Sequence, residues 1–479
     1  MALCTVSGYT AQAARIATAP GAWAGEIRVA ERVLVPFAGE GSGRGGLSWG
    51  QQAIWRDFEV VGTPIWLTGL QAVPDGWTVD DAADQLAYIM GRHQSMRTTL
   101  LVDGDRPVQQ VVHDSGQIYL QVIDADGGEG PLAIAKALEE KWKEHDLVYD
   151  YANDWPVRMA LIRHQGKAVY YVRAVSHVVT DGFGALAMYK DIIARDPVTG
   201  RPGGPITAME PLEQAQWQAS PAGKRRTQAA EQHWERLLRA IPARRFGEPA
   251  NPAQAARYGR LTFDSRAAYL ASQAIAARTE VANSPVLLAA FAVGLARATG
   301  INPVVLRLYV SNRFRPRLAA TVSPIAQTCP CVIDVAGITF DEAVKRTYYA
   351  SLGAYKHAYF EPVRIRELVV AVGEQRGAEI DLSCLYNDIR LTSPRDASGP
   401  LPGPRDIRAA LARTALRWQD RQNPEGQFNI MIEDSPDTIS VLMVLDTHYL
   451  GLAQAEATLR GMEDMVVAAA CDPDAPTGV

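Results

Sequence analysis

Residues 174–185, AVSHVVTDGFGA, bring a histidine to the end of an apolar run and an Asp-Gly pair four residues later. An imidazole with an unperturbed pKa of about 6.5 gives or takes a proton near neutrality, so His177 suits general acid–base work. Asp181 supplies a carboxylate in the same loop, and Gly182 after it lets the backbone pass close to another element. The same residues also fit a quieter arrangement, in which a lone histidine is satisfied by a backbone carbonyl. Residue types alone leave both readings open.

The elements around this loop would hold it rigidly. KAVYYVRAVS, residues 167–176, has the β-branched and aromatic content of a strand, and GFGALAMYKDIIA carries an apolar stripe at helical spacing. His177 then falls where a strand gives way to a turn, and Asp181 at the N-terminus of the next helix. Upstream, LSWGQQAIWRDF reads as a helix capped by Ser48. TVDDAADQLAYIMGRHQ reads as another, with Thr78 and Asp81 forming a capping box and Val79, Ala82, Ala83, Leu86, Ile89 and Met90 on one stripe. TTLLV after it is a strand. DPVTGRPGGPITAMEP, dense in Pro and Gly, reads as a surface crossing between halves. Beyond it come a charged amphipathic helix near AAEQHWERLLRAI, a buried helix in SPVLLAAFAVGLARATG and a strand in PVVLRLYVSN. A surface loop follows in TSPRDASGPLPGPRD, then a hairpin turning at Ser435 to Asp437 and a closing helix. The expected organisation is an extension over 1–46, a first α/β subdomain over 47–196, a linker over 197–225 and a second subdomain over 226–479.

Composition narrows the function. With 479 residues and 47% apolar content the chain exceeds what one core organises, and a net charge of −5 offers no basic field for nucleic acid or an anionic membrane. Lys224, Arg225 and Arg226 read as a solvated face. Five cysteines, odd in number and unevenly spaced, argue for a reducing compartment. With neither a signal-peptide pattern nor a spanning apolar run in view, the expected setting is cytoplasmic. Gly41, Gly43 and Gly46 satisfy G-x-G-x-x-G, but the helix cap Ser48 lies beyond the last glycine, and a flexible loop is the better reading. TCPC provides two sulfurs where a structural zinc site needs four ligands, so no metal is expected.

Four segments in register resemble the condensation domains of nonribosomal peptide synthetases, within the chloramphenicol-acetyltransferase-like superfamily. LSWGQQAIW at 47–55 is similar to the family's opening motif, RHQSMRT at 92–98 to R-H-x-x-L-R-T, and SHVVTDG to H-H-x-x-x-D-G. AsnArg at 312 and 313, with VSPIAQTCP at 322–330, resembles the N-R segment and the later V-G-x-F-x-N-T-x-P. The resemblance spans roughly residues 47 to 460. There are departures: Ser176 stands for the first motif histidine, Ser323 and Gln327 replace usual residues, R-D-x-x-R-N-P has no clear counterpart, and the D-F-G-W-G of plant-type acyltransferases is absent.

The resemblance implies a V-shaped α/β pseudo-dimer of two subdomains, each an α+β two-layer sandwich, with a channel between them. It makes His177 the catalytic residue and Asp181 a structural one, turned away from the histidine and paired with an arginine, Arg313 first and Arg97 second. Gly182 supports the turn, and Ser176 and Asn387, in CLYND, are candidates for substrate positioning; Asn387 can equally be a backbone-bonding residue. The implied reaction joins an acyl thioester to an amine or hydroxyl. No cofactor resides on the protein: the acyl donor rides on the phosphopantetheine of a separate acyl or peptidyl carrier protein, or on coenzyme A. No adenylation core or carrier serine motif is visible, so a free-standing, monomeric enzyme served in trans is expected. A coenzyme A-dependent acyltransferase and a non-catalytic recruiting module are the competing readings.

Overall fold

The computed structural model describes residues 27–104, 106–126, 130–143, 149–246, 257–390, 401–421 and 428–479. The chain divides into two compact units. The first runs to Arg226 and also takes in Ser311–Gln327; the second holds Thr227–Val310 and Thr328–Val479.

In the first unit the chain forms β1 (Glu31–Ala38), β2 (Gly43–Gly45), α1 (Trp49–Val61), β3 (Trp66–Ala72), α2 (Val79–Arg92), β4 (Thr98–Asp103), β5 (Arg106–Val112), β6 (Ser115–Asp124), α3 (Pro131–Lys143), β7 (Val157–His164), β8 (Lys167–Ser176), α4 (Gly182–Ile193) and α5 (Pro211–Ala219). Helix α6 (Pro221–Ala240) carries the chain into the second unit. A five-stranded sheet runs β1-β6-β7-β8-β3 and a three-stranded one β2-β5-β4. β6 and β7 are parallel, joined by a crossover through α3, while β8 is antiparallel to both its neighbours.

Both faces of the larger sheet are covered, which is why β7 reads MALI without polar alternation. Met159 and Leu161 point to the side where α2 buries Leu86, Ile89 and Met90; Ala160 and Ile162 point to the side where α3 buries Ile134, Leu138 and Trp142. Full burial of a side chain of this size contributes about 1.5–3 kcal/mol. α2 starts at the capping box of Thr78 and Asp81, and α1 at one formed by Ser48 and Gln51.

Three stretches differ from the sequence reading. ERVLVPFA, placed in the extension, is an edge strand of the main sheet, because Val33, Val35 and Phe37 alternate toward the core. Gly43–Gly45 pairs with β5 rather than forming a free loop. The linker range holds α5, whose Pro211 sits at the favoured first helical position.

The second unit contributes β9 (Tyr258–Ser265), α7 (Arg266–Thr279), α8 (Asn283–Thr299), β10 (Val304–Val310), β11 (Gln327–Ile333), α9 (Phe340–His357), α10 (Pro362–Arg376), β12 (Cys384–Asp388), α11 (Pro404–Ala410), β13 (Ala415–Arg421), β14 (Phe428–Glu433), β15 (Ile439–Asp446) and α12 (Leu452–Cys471). Its seven strands run β11-β10-β12-β14-β15-β9-β13. β14 and β15 form the hairpin read from sequence. α8 is buried from Pro285 through Ala296, as its unbroken apolar surface requires. The stretch read as a surface loop over 392–406 ends in α11, started by Pro404; 391–400 lie outside the described residues. No single described helix is long and apolar enough to cross a membrane.

One contact in this unit carries a pH signature. His233 of α6 stacks on His357 of α9, with ring centroids 4.4 Å apart and planes 11° from parallel. Arg236 donates to His233 Nδ1 at 3.1 Å, which requires that nitrogen to be unprotonated. Burial first, then the fields of His357, Arg236 and Lys356, pull the His233 pKa down to about 4. Between the ordinary value near 6.5 and that value, the unfolded chain binds a proton the fold refuses, so stability falls as pH drops through this window. The melting temperature is therefore expected to decrease from pH 7.5 to pH 5, and His233→Gln to flatten that dependence in a thermal-melt series across the same range.

Candidate active site

β8 ends at Ser176, opposite Trp66 of β3, and the chain turns through His177–Thr180 into α4. The His177 backbone N–H donates to the Ile65 carbonyl at 2.9 Å, tying the turn to the segment leading into β3. His177 Nδ1 lies 2.9 Å from the Thr180 carbonyl oxygen. A carbonyl only accepts, so Nδ1 carries a proton, and in the neutral ring it is Nε2 that holds the lone pair. The ring is half-buried. This geometry combines the two sequence readings, since the histidine is satisfied by a carbonyl at one nitrogen and keeps a basic nitrogen at the other.

Asp181 caps α4 and accepts from the Gly184 N–H through Oδ1 at 2.8 Å. The rest of its capacity goes to the segment Ser311–Gln327. Arg313 Nη2 reaches Oδ1 at 2.8 Å and Nη1 reaches Oδ2 at 3.0 Å, a two-pronged pair, and the Ile325 and Ala326 N–H groups donate to Oδ2 at 3.0 and 3.1 Å. With both oxygens occupied and His177 Nδ1 already bonded to Thr180, the carboxylate does not orient the imidazole. Arg313 extends the clasp by donating from Nη2 to the Thr321 and Ser323 carbonyls at 3.0 and 3.4 Å. Its neighbour Asn312, at a positive φ of 58°, donates to the Ile325 carbonyl at 2.9 Å and so folds the segment back on itself.

Sequence reasoning missed three contributors. Thr180 uses its carbonyl for His177 and its hydroxyl for the Val322 carbonyl at 2.7 Å. Gly184 and Gly50 sit where the 322–325 backbone presses closest: a Cβ on Gly184 would stand 2.0 Å from the Val322 oxygen, and one on Gly50 1.7 Å from the Pro324 oxygen. The signal for them is the small residue in GFG and in SWGQ, legible only once the packing partner is known.

Arg97 is fully buried but makes no bond to Asp181; it donates to the Glu40, Gly41 and His113 carbonyls, the last two at 3.2 Å. Carbonyls take up the two terminal nitrogens of this guanidinium, while its buried Nε has no hydrogen-bond partner among the described residues. Ser176 continues the Val172–Ala174 face that α3 covers, fully buried, with no hydrogen-bond partner for Oγ among the described residues. Ser323 Oγ accepts from Gln214 at 2.7 Å. Asn387 is the fourth residue of β12 in the second unit, across from Met431. Cys329 and Cys331 are buried on β11, where burial raises both thiol pKa values, that of Cys331 to about 12; among the described residues no group of three or more His, Cys, Asp or Glu is placed to hold a metal. Cys4 lies outside the described residues.

In fold the protein is similar to condensation domains of known structure. It is similar to the condensation domain that mediates chain release from the enacyloxin polyketide synthase, with a TM-score of 0.65 and 20% identity over 89% of this chain and 83% of that one. It is similar also to the first condensation domain of the CDA synthetase, with a TM-score of 0.62 and 17% identity over 92% and 99%. The family profile for the condensation domain matches residues 78–380, and the chain belongs to that family. In sequence it is 24% identical over 410 residues to an isonitrile lipopeptide synthase of Streptomyces coeruleorubidus, covering 81% of this chain and 26% of that protein. It is 26% identical over 296 residues to an enniatin synthase of Fusarium equiseti, covering 58% and 9%. The chain thus spans about a quarter of the first relative and less than a tenth of the second.

Removing Asp181 leaves Arg313 and three backbone N–H groups without their acceptor. Asp181→Ala is expected to cost about 3–5 kcal/mol, the usual penalty for breaking a buried pair, read from urea denaturation. An unchanged midpoint with lost turnover would assign Asp181 to the chemistry instead. Gly184→Ala should lower the melting temperature by several degrees, since backbone must move to admit the methyl group.

Proposed function

We propose that the protein is an acyl-transferring condensation enzyme that joins a carrier-bound acyl thioester to an amine or hydroxyl nucleophile in natural-product assembly. The observation that carries this reading is the His177 Nδ1 bond to the Thr180 carbonyl, which presents a basic Nε2 on a fixed ring. In the reaction the nucleophile's nitrogen or oxygen bonds to the thioester carbonyl carbon, giving a tetrahedral intermediate, and Nε2 of His177 takes the proton the nucleophile sheds. Collapse breaks the carbon–sulfur bond, and the departing thiolate receives that proton, leaving an amide or ester, a free thiol and a neutral imidazole. General-base help of this kind is typically worth about 10² to 10⁴-fold, and holding the reactants together supplies further acceleration.

The acyl group is carried on phosphopantetheine of a carrier protein, in keeping with relatives that are peptide and lipopeptide synthases. No resident metal or cofactor takes part. Asp181 and Arg313 act by holding the loop.

The test offers purified protein an acyl carrier-protein thioester or the matching acyl-coenzyme A, with a panel of amines and alcohols, and follows product by mass spectrometry. Turnover with the carrier substrate, lost at least about 100-fold in His177→Ala, is expected. Turnover with coenzyme A thioester alone would make the protein a coenzyme A acyltransferase. Carrier binding without turnover would make it a recruiting module, a reading to which Ser176 in place of the first motif histidine lends its one supporting observation.

A further inference from the structure

Asp191 lies on the same helix as Asp181, ten residues further on. It is partly buried and gathers three side chains from α2 and the residue that ends it. Tyr88 Oη donates at 2.9 Å, Arg92 Nε and Nη2 donate at 3.0 and 3.2 Å, and His93 Nε2 stands 3.3 Å away. Burial would raise the Asp191 pKa, but the nearby His93 ring and the bonds from Arg92 and Tyr88 outweigh it and hold the carboxyl well below the ordinary carboxylate range. Tyr88 responds in the opposite sense, pushed up to about 12 by burial and by Asp191. The surroundings reinforce the arrangement: Arg195 stacks over the Tyr88 ring at 4.1 Å, and Glu210 accepts from the Gln94 N–H at 2.8 Å just past His93.

α4 is therefore fastened twice, at its cap by Arg313 and the 322–326 backbone and near its far end by α2. Ten residues of helix span about 15 Å, so once the far end is released a shift of about 1 Å there turns the helix by about 4° about its clasped cap and tips the turn that leads into it. Misplacing a reacting group by about 1 Å can cost about 100-fold in rate, so even a fraction of that motion reaching the imidazole registers in kcat.

We infer that Asp191 is a positioning residue for His177, setting the tilt of α4 and through it the turn that fixes the imidazole. The inference rests on the proposed role of His177 as base, yet one of its readouts does not depend on turnover. Asp191→Asn keeps the shape but loses the charge that draws Arg92. It is expected to lower kcat about tenfold or more with KM within twofold, and Asp191→Glu to recover most of the loss. In histidine-labelled protein, the Nδ1–H resonance of His177, protected by the Thr180 carbonyl, should broaden or shift in Asp191→Asn and return in Asp191→Glu. A variant that melts earlier while keeping both wild-type kcat and the His177 resonance would overturn the inference. Should the wild-type protein show no turnover at all, the resonance alone decides, separating failure of this inference from failure of the proposed chemistry. Tyr88→Phe, which removes one donor and leaves the ion pair, offers a milder variant with the same readouts if Asp191→Asn does not fold.

Discussion

One carboxylate organises the centre of the first unit. Asp181 collects a two-pronged guanidinium and three backbone N–H groups, and these donors come from two stretches of chain more than a hundred residues apart. A charge with so many donors is comfortable out of water, whereas any of those donors left alone would not be. The helix α4, the turn before it and the 311–327 segment therefore share one arrangement, and each is defined by the presence of the others. The imidazole of His177 inherits its orientation from this assembly through Thr180, which spends its carbonyl on the ring and its hydroxyl on Val322.

This explains why an aspartate within four residues of a histidine is not a relay. Proximity in sequence suggests a charge behind the ring, but the cap position turns the side chain toward the first-turn N–H groups of its own helix. What remains for the histidine is a backbone carbonyl, a neutral acceptor that fixes the tautomer without adding negative charge. The ring is thus oriented as in a triad but lacks the electrostatic support that a carboxylate partner gives an imidazolium.

Much of this was legible in the residues. The periodicity of β8 and α4 placed His177 at a strand end and Asp181 at a helix cap, and the Thr78–Asp81 capping box, the Ser48 cap and the hairpin at Ser435–Asp437 announced themselves by local chemistry. What escaped was non-local. The resemblance rightly put Arg313 ahead of Arg97 as the partner of Asp181, but nothing in the neighbourhood of either arginine says which of them meets the carboxylate. The edge strand over Glu31–Ala38 was hidden beside a glycine-rich stretch, and Pro404 starts a short helix where proline density suggested only loop. Gly50 and Gly184 look like ordinary small residues until the 322–325 backbone is laid against them.

The path of residues 311–327 has a consequence for how such a protein can be divided or recombined. The chain leaves β10, lends this strip to the first unit and returns at β11, so a cut at Arg226 would separate Asp181 from its guanidinium. A chimera that swapped the leading portion between relatives would bring a foreign strip to meet the resident glycines at 50 and 184. Crossovers that succeed must move the strip together with the portion it completes, which makes the two units inseparable in inheritance even though each has its own hydrophobic core.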